Sequence, residues 1–378
     1  MRTYHSFLIS LSLLLFSCQK EETLIPSTCT GDDFSNHASD SLYSALLDSY
    51  VVENNLPGAI LAVDKGGEEF WAGATGMANL SIDSRMQTCT PFRTGSISKM
   101  FTAALILQLK DQGLLSLDDK LIDHLPEVAD HIPGASEITI RMLLNHSSGL
   151  PQPSDDNLTY QLQLLNQPET MAGLGTDEKL KNYIYGKKLV ASPGTSSYYS
   201  NPGYWLLGQV IREITGQTYN QVLAEQITGP LGLTGTYLAV ADAPSIARGY
   251  GYKNGALTEL TLWDRSDSDG DPAGGIVSTA EELCIFFRAL FTGNLLEPET
   301  LEEMKFTQSF DSCEGGKCPY GLGVETWDNY QILGYGKNGS LPGVDANCIY
   351  FPEKNTTVVV FTNFGQGSRK DWVDEILQ

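Results

Sequence analysis

Basic residues are scarce in this 378-residue chain: 24 lysines and arginines stand against 46 aspartates and glutamates, a formal net charge of -22. No cluster of lysine and arginine offsets that balance, so a polyanionic duplex is repelled at long range and nucleic acid is not the expected partner. Long apolar runs are missing as well. The stretch Phe7–Phe16 falls short of the roughly 20 residues a membrane-spanning helix needs. Neither a G-x-S-x-G elbow nor an H-E-x-x-H pair occurs, which leaves an α/β-hydrolase or a zinc protease without its motif. Histidine is rare, five in all, and none lies near Cys313 or Cys318, so the sequence predicts no metal site and no cofactor. No internal repeat or low-complexity tract points to a solenoid or scaffold.

What the chain does have begins with Arg2, the Phe7–Phe16 run and Ser17-Cys18, the layout of an export signal. Leu15-Phe16-Ser17-Cys18 resembles a bacterial lipobox. The expectation is a signal peptide over 1–17, a lipid on Cys18, and a Pro/Ser/Thr-containing tether over 18–40. The protein would then sit outside the cytoplasm, anchored to a bacterial membrane on its periplasmic or surface side. Gln19-Lys20-Glu21-Glu22 also resembles the charged tag that sends some lipoproteins to the cell surface. Of seven cysteines, Cys29, Cys89, Cys284, Cys313, Cys318 and Cys348 remain, an even number in an oxidising compartment, which predicts disulfides. Cys313 and Cys318 flank Glu-Gly-Gly-Lys and can close a small loop; sequence does not choose among the pairings.

Periodicity supplies the fold. Leu42, Ala45, Leu46 and Val51 form a helical stripe, and apolar runs Ala59–Val63 and Phe70–Ala74 around Lys65-Gly66-Gly67 predict a hairpin. From Ser96 onward Met100, Ala103, Ala104, Leu107 and Leu109 predict a helix with a broad apolar face, followed by helices near 139–145, 204–215 and 280–291. Strand signals return at Tyr330–Leu333, Asn347–Phe351 and Thr357–Thr362, with a terminal helix from Lys370. Strands at both ends of a helical middle predict an α/β plus all-α architecture: one sheet built from 41–95 and 270–378, a mainly helical domain over 96–269 inserted into it, and a ligand cleft between them.

Three short motifs carry chemistry. Ser96 and Lys99 stand three apart where strand gives way to helix, so they share a face, and a partly desolvated amine can accept the hydroxyl proton. Alone the spacing is weak, since Ser17 and Lys20 repeat it and a capping serine beside a solvated lysine looks the same. Tyr199 and Asn201 sit in a loop ahead of the helical run Trp205–Ile211, which can aim two polar groups into the cleft; lysines nearby would lower the tyrosine's pKa for acid and base work, and the asparagine amide would hold a substrate carbonyl. Lys337 brings positive charge and Gly339 lets a substrate backbone approach, although the same residues also suit a surface hairpin turn. Tyr252-Lys253-Asn254 repeats the second spacing, but Asn254-Gly255 reads as a turn between strands.

The ordered set S-x-x-K, Y-x-N, K-x-G resembles the penicillin-recognising serine hydrolases, particularly class C β-lactamases and their D-alanyl-D-alanine peptidase and esterase relatives. Phe92–Lys99, Leu143–Pro151 and Ala273–Thr279 are similar to stretches of that family, and the resemblance runs from about residue 42 to the end. It implies the β-lactamase/transpeptidase-like fold, an antiparallel sheet flanked by helices with an inserted helical domain. It implies further that Ser96 attacks, that Lys99 and Tyr199 move protons, that Asn201 and Lys337 orient the substrate, and that the backbone N–H groups of Ser96 and Ser340 stabilise the oxyanion. Substrates would carry amide or ester bonds, as in D-amino-acid peptides, peptidoglycan-like fragments or β-lactams; a small-ester hydrolase and a non-turnover penicillin-binding sensor are the alternatives. Lys337, where many peptidase and esterase relatives have histidine, favours a substrate carboxylate. Val344 and Asp345 replace the aromatic residue that often follows Pro342-Gly343. His146, in its Asn-His-Ser-Ser-Gly stretch, reads as a turn-former rather than a triad member.

Overall fold

The computed structural model describes residues 33–307, 313–314, 320–328, 330–365 and 373–377. The expected signal peptide, Cys18, residues 18–32 of the tether, Cys29 and Cys318 lie outside the described residues, as does the side chain of Cys313, and with them the expected Cys313–Cys318 loop.

Seven strands form one antiparallel sheet: β1 (Gly58–Lys65), β2 (Glu69–Asn79), β3 (Ser84–Arg85), β4 (Glu325–Trp327), β5 (Gly334–Leu341), β6 (Val344–Phe351) and β7 (Thr356–Thr362). Their order is β4-β5-β6-β7-β1-β2-β3, so the chain's two ends meet at the β7–β1 seam, where Ala59 stands opposite Thr362 and Lys65 opposite Thr356. Alternate residues of a strand face opposite sides. On β1, Ala59, Leu61 and Val63 enter one apolar cluster while Ile60 and Ala62 enter the other. A strand covered on both faces reads as a continuous apolar run, which explains the unbroken Ala59–Val63 signal. Gly66 and Gly67 carry φ of 67° and 80° through the following turn, a region closed to most side chains, and Asp64 Oδ1 accepts from Gly67 N.

Helix α1 (Asp40–Asn54) covers one face of the sheet. Its buried stripe is Tyr43, Leu47 and Tyr50, while Leu42 is 45% exposed. The actual face is thus rotated from the one the aliphatic residues suggest, because tyrosines supply more area to bury than leucine or alanine do. Trp71 packs edge-on to Tyr43 and donates to Asp40 Oδ1 at 3.0 Å. The other face is covered by α4 (Ala280–Phe291), on which α2 (Ser98–Asp111) packs in the same apolar cluster; between these two in sequence lies α3 (Asn201–Thr215). In α2 every residue from Ser98 to Leu109 except Gln108 is buried, as in a helix wrapped on all sides. Thr279 starts α4 by accepting from Glu282 N, and Phe286 stacks on Phe101 at 3.8 Å between ring centres, joining α4 to α2. Each fully buried large apolar side chain of this kind contributes about 1.5–3 kcal/mol.

Two expectations need correction. Tyr330–Leu333 is not a strand; the strand at this sheet edge is Glu325–Trp327, and Tyr330 and Ile332 pack on the α1-side cluster from a bent segment. Their apolar character reflects packing, not pairing. Nor do all six remaining cysteines pair. Cys89 is disulfide-bonded, whereas Cys284 of α4 and Cys348 of β6 are buried free thiols in the α4–sheet interface, with burial pushing both well above the ordinary thiol range.

The mainly helical segment joins the sheet through a short three-stranded sheet. In it Ile276–Ser278 is central, between Phe92–Arg93 and Tyr237–Leu238. A buried ion pair, Arg93–Asp269 at 2.6 Å, lies beside the same crossing.

Candidate active site

Ser96 occupies a 3-10 turn, Gly95–Ile97, immediately before α2. The turn is braced from the short sheet. Thr94 N and Thr94 Oγ1 both donate to Ile276 O at 2.9 Å, Ile276 N donates to Ser98 Oγ at 2.9 Å, and Ser98 Oγ donates to Gly95 O at 2.7 Å. The inner serine of Ser-Ile-Ser-Lys therefore shapes the turn, and Ser96 is left half-buried.

One helical turn on, Lys99 is fully buried and its Nζ reaches Ser96 Oγ at 3.1 Å, Asn201 Oδ1 at 2.7 Å and Ala273 O at 2.8 Å. Tyr199 donates to Ser96 Oγ at 2.8 Å. Its loop is pinned by His146, which adopts φ of 61°, takes Ser200 N on Nδ1 at 3.2 Å and Tyr198 N on its carbonyl at 2.8 Å, and packs its ring 4.2 Å from that of Tyr199. Asn145 Oδ1 accepts from Ser147 Oγ at 2.6 Å in the same turn. Burial raises the Tyr199 pKa well above the ordinary phenol value, outweighing the hydrogen bond to Ser96 that opposes it. This differs from the expected lowering by lysines, although Lys99 Nζ and Lys337 Nζ do lie 4.9 and 5.2 Å from the ring centre. Desolvation of the phenol wins, and it rests protonated.

Lys337-Asn338-Gly339 lies in the middle of β5, an interior strand, not in a surface turn. Gly339 does allow a close approach, but to the turn that carries Ser96: a Cβ there would fall 1.9 Å from Thr94 O and 2.9 Å from Ser96 N. Gly95 returns the contact, with a Cβ position 2.9 Å from Ser340 N. The amides of Ser96 and Ser340 therefore flank one seam, while the Ser340 side chain is exposed.

Ser96, Lys99, Tyr199, Asn201 and Lys337 are thus brought to one place, with Gly339 and Ser340 on the adjoining strand. Several participants escape a reading of motifs. Ala273 serves through its carbonyl, which no side-chain pattern reveals, although it lies in the Ala273–Thr279 stretch. Asp271 holds that loop by accepting from Ala273 N and Trp205 Nε1, both at 2.6 Å; burial raises its pKa, against the pull of Lys179. Gln152 Oε1 accepts from Asn201 N at 2.8 Å. Glu325, beside Lys337, sits in a short edge strand that left no signal. A surface cavity of about 600 Å³ lined by His124, His131, Lys181 and Arg212, among others, lies apart from all these residues. Converging reactive groups, rather than cavity size, locate the site.

The sequence profile of the beta-lactamase family matches residues 43–378, and the chain belongs to this family, with the β-lactamase/transpeptidase-like fold. Protein flp of Staphylococcus aureus strain MW2 is 25% identical over 320 residues, 82% of this chain and 60% of that protein. The chain thus spans 60% or less of the length of such flp relatives, 45% for that of strain NCTC 8325. A putative penicillin-binding protein PbpX of Bacillus subtilis strain 168 is 27% identical over 326 residues, covering 85% of this chain and 74% of that one. A crystal structure of a D-stereospecific amidohydrolase from Streptomyces sp. superposes with a TM-score of 0.74 at 26% identity, over 86% of this chain and 95% of that one.

Proposed function

We propose that this protein is an exported, lipid-anchored hydrolase that cleaves amide or ester bonds through an acyl-enzyme on Ser96. D-Amino-acid amides and peptides, peptidoglycan-like fragments and β-lactams are the substrate classes, with small esters second. The observation that carries the proposal is the convergence on Ser96 Oγ of Lys99 Nζ at 3.1 Å and Tyr199 OH at 2.8 Å. A neutral Lys99 keeps two N–H bonds for Asn201 Oδ1 and Ala273 O and turns its lone pair to the serine hydroxyl. It accepts that proton as Oγ attacks the carbonyl carbon. Negative charge then grows on the carbonyl oxygen and is met by the Ser96 and Ser340 N–H groups. Tyr199, protonated at rest, gives its proton to the departing nitrogen or oxygen and is reprotonated from Lys99, leaving an ester on Ser96. Water attacks that ester, its proton passes to the basic pair, and Ser96 Oγ leaves protonated.

Ser17-Cys18 after the Phe7–Phe16 run supports export and anchoring, and the relative named a D-stereospecific amidohydrolase makes D-amino-acid amides the first substrates to test. Matched D- and L-amino-acid amides and nitrophenyl esters should be hydrolysed by the wild type and not by Ser96→Ala, with thermal unfolding unchanged. Turnover surviving in Ser96→Ala contradicts the mechanism. Cys18→Ser should move the protein from the membrane to the soluble fraction of expressing bacteria; an unchanged distribution contradicts the anchor.

A further inference from the structure

Lys337 already has an anionic partner. Its Nζ donates to Glu325 Oε1 at 2.5 Å, across the antiparallel pair in which Glu325 stands opposite Gly336. The lysine side chain is fully buried and that of the glutamate is 11% exposed, so water screens the pair weakly. The same ammonium lies 5.2 Å from the ring of Tyr199 and 5.5 Å from that of Tyr320, beside the phenol that bonds Ser96. A cation that would otherwise receive a substrate carboxylate thus faces one supplied by the protein.

We infer that Glu325 is a specificity-determining residue: by pairing with Lys337 it turns the site toward amides and esters whose leaving group carries no carboxylate. The inference narrows the substrate class of the acyl-enzyme on Ser96 and rests on that reading. A carboxylate arriving at Lys337 must either share one ammonium with Glu325, which sets two like charges together, or separate the buried Glu325 from the ammonium that pairs with it. A neutral leaving group meets neither obstacle. Lys337 on its own would favour carboxylate-bearing substrates; Lys337 with Glu325 favours their esters and amides.

Two thioesters sharing an N-benzoylglycyl group test this. One releases mercaptoacetate and the other methyl mercaptoacetate, so they differ only in the leaving-group carboxylate. After normalisation to uncatalysed hydrolysis, wild-type kcat/KM should be at least about tenfold higher for the methyl ester. The assay is run near 1 M salt, where a Debye length of about 3 Å suppresses the general repulsion from the chain's net charge of -22. Glu325→Gln should lower the ratio of the two kcat/KM values by about tenfold or more, whatever happens to each rate. Thermal unfolding checks that the variant folds, and the wild-type ratio is a test that needs no variant. Equal wild-type values for the two thioesters, or a ratio unchanged in folded Glu325→Gln, overturn the inference and leave the acyl-enzyme standing. If neither thioester yields thiol nor acylates Ser96, the acyl-enzyme reading falls and this inference falls with it.

Discussion

Lys99 and Lys337 are both fully buried within reach of the Tyr199 ring, yet their hydrogen bonds run to different kinds of group. Lys99 Nζ has uncharged groups as hydrogen-bond partners, Asn201 Oδ1, Ala273 O and the Ser96 hydroxyl, with the buried Asp271 carboxylate near enough to act on it electrostatically. Lys337 is held by a carboxylate, Glu325 Oε1. Neutral acceptors hold an amine in place without fixing its proton, which suits a group that must take one up and release it. A carboxylate favours the ammonium, which suits a fixed charge. On the proposed mechanism the same side chain serves as a proton carrier in one place and a fixed charge in the other.

Breaking the first environment should have the largest effect. Lys99→Met removes the base and is expected to slow acylation by about 100- to 10,000-fold, read by single-turnover thiol release; a rate within tenfold of the wild type would assign the proton to another group. Breaking the second should appear first in stability. Lys337→Met leaves Glu325 buried without its partner and should cost about 3–5 kcal/mol, measured by denaturant unfolding, and adding Glu325→Gln should recover part of that loss. No recovery would mean that the two side chains do not interact energetically. Between the two lysines runs the Gly95–Gly339 seam. Ser340→Pro removes the backbone donor and should lower turnover by about 100- to 1,000-fold, whereas Ser340→Ala should be mild; a severe alanine effect would give the hydroxyl, not the amide, the role.

The smallest expected effect concerns a third buried charge. Asp264 is fully buried, accepts from Gly343 N at 2.6 Å, and is pushed up to about 7, mainly by burial. A carboxyl whose folded pKa is raised adds stability that is complete below its unfolded value of 3.8 and is lost as pH rises through about 7. Asp264→Asn keeps an acceptor for Gly343 N and should therefore be more stable than the wild type at pH 8 by roughly 1 kcal/mol or more, with the gain gone near pH 4. A gain that persists unchanged at acid pH would show that desolvated charge is not its cause.

Much of this molecule is legible in its residue pattern, for physical reasons that also mark where legibility stops. A strand buried on both faces, such as β1, reads as an apolar run over Ala59–Val63, and α2, wrapped on all sides, is mostly apolar apart from Ser98, Lys99 and Thr102, so both stand out in the sequence. Ser96, Lys99, Tyr199, Asn201 and Lys337 are legible because each brings a polar side chain to the site from a position at fixed spacing. Ala273 acts through its carbonyl and Gly339 through the absence of a Cβ against Thr94 O, so their neighbours are revealed by the fold alone. Tyr330 and Ile332 look like a strand because packing demands apolar residues whether or not the backbone pairs. Glu325 is hidden for the opposite reason: one carboxylate in a three-residue edge strand leaves no period to detect.

The most direct test of the account is acid-quenched intact-mass spectrometry of the protein mixed for milliseconds to seconds with N-benzoylglycyl methyl mercaptoacetate, run beside Ser96→Ala and Lys99→Met. The account predicts a benzoylglycyl adduct on Ser96 in the wild type, none in Ser96→Ala, and an adduct that builds at least about 100-fold more slowly in Lys99→Met. An adduct in Ser96→Ala at the wild-type rate would contradict it.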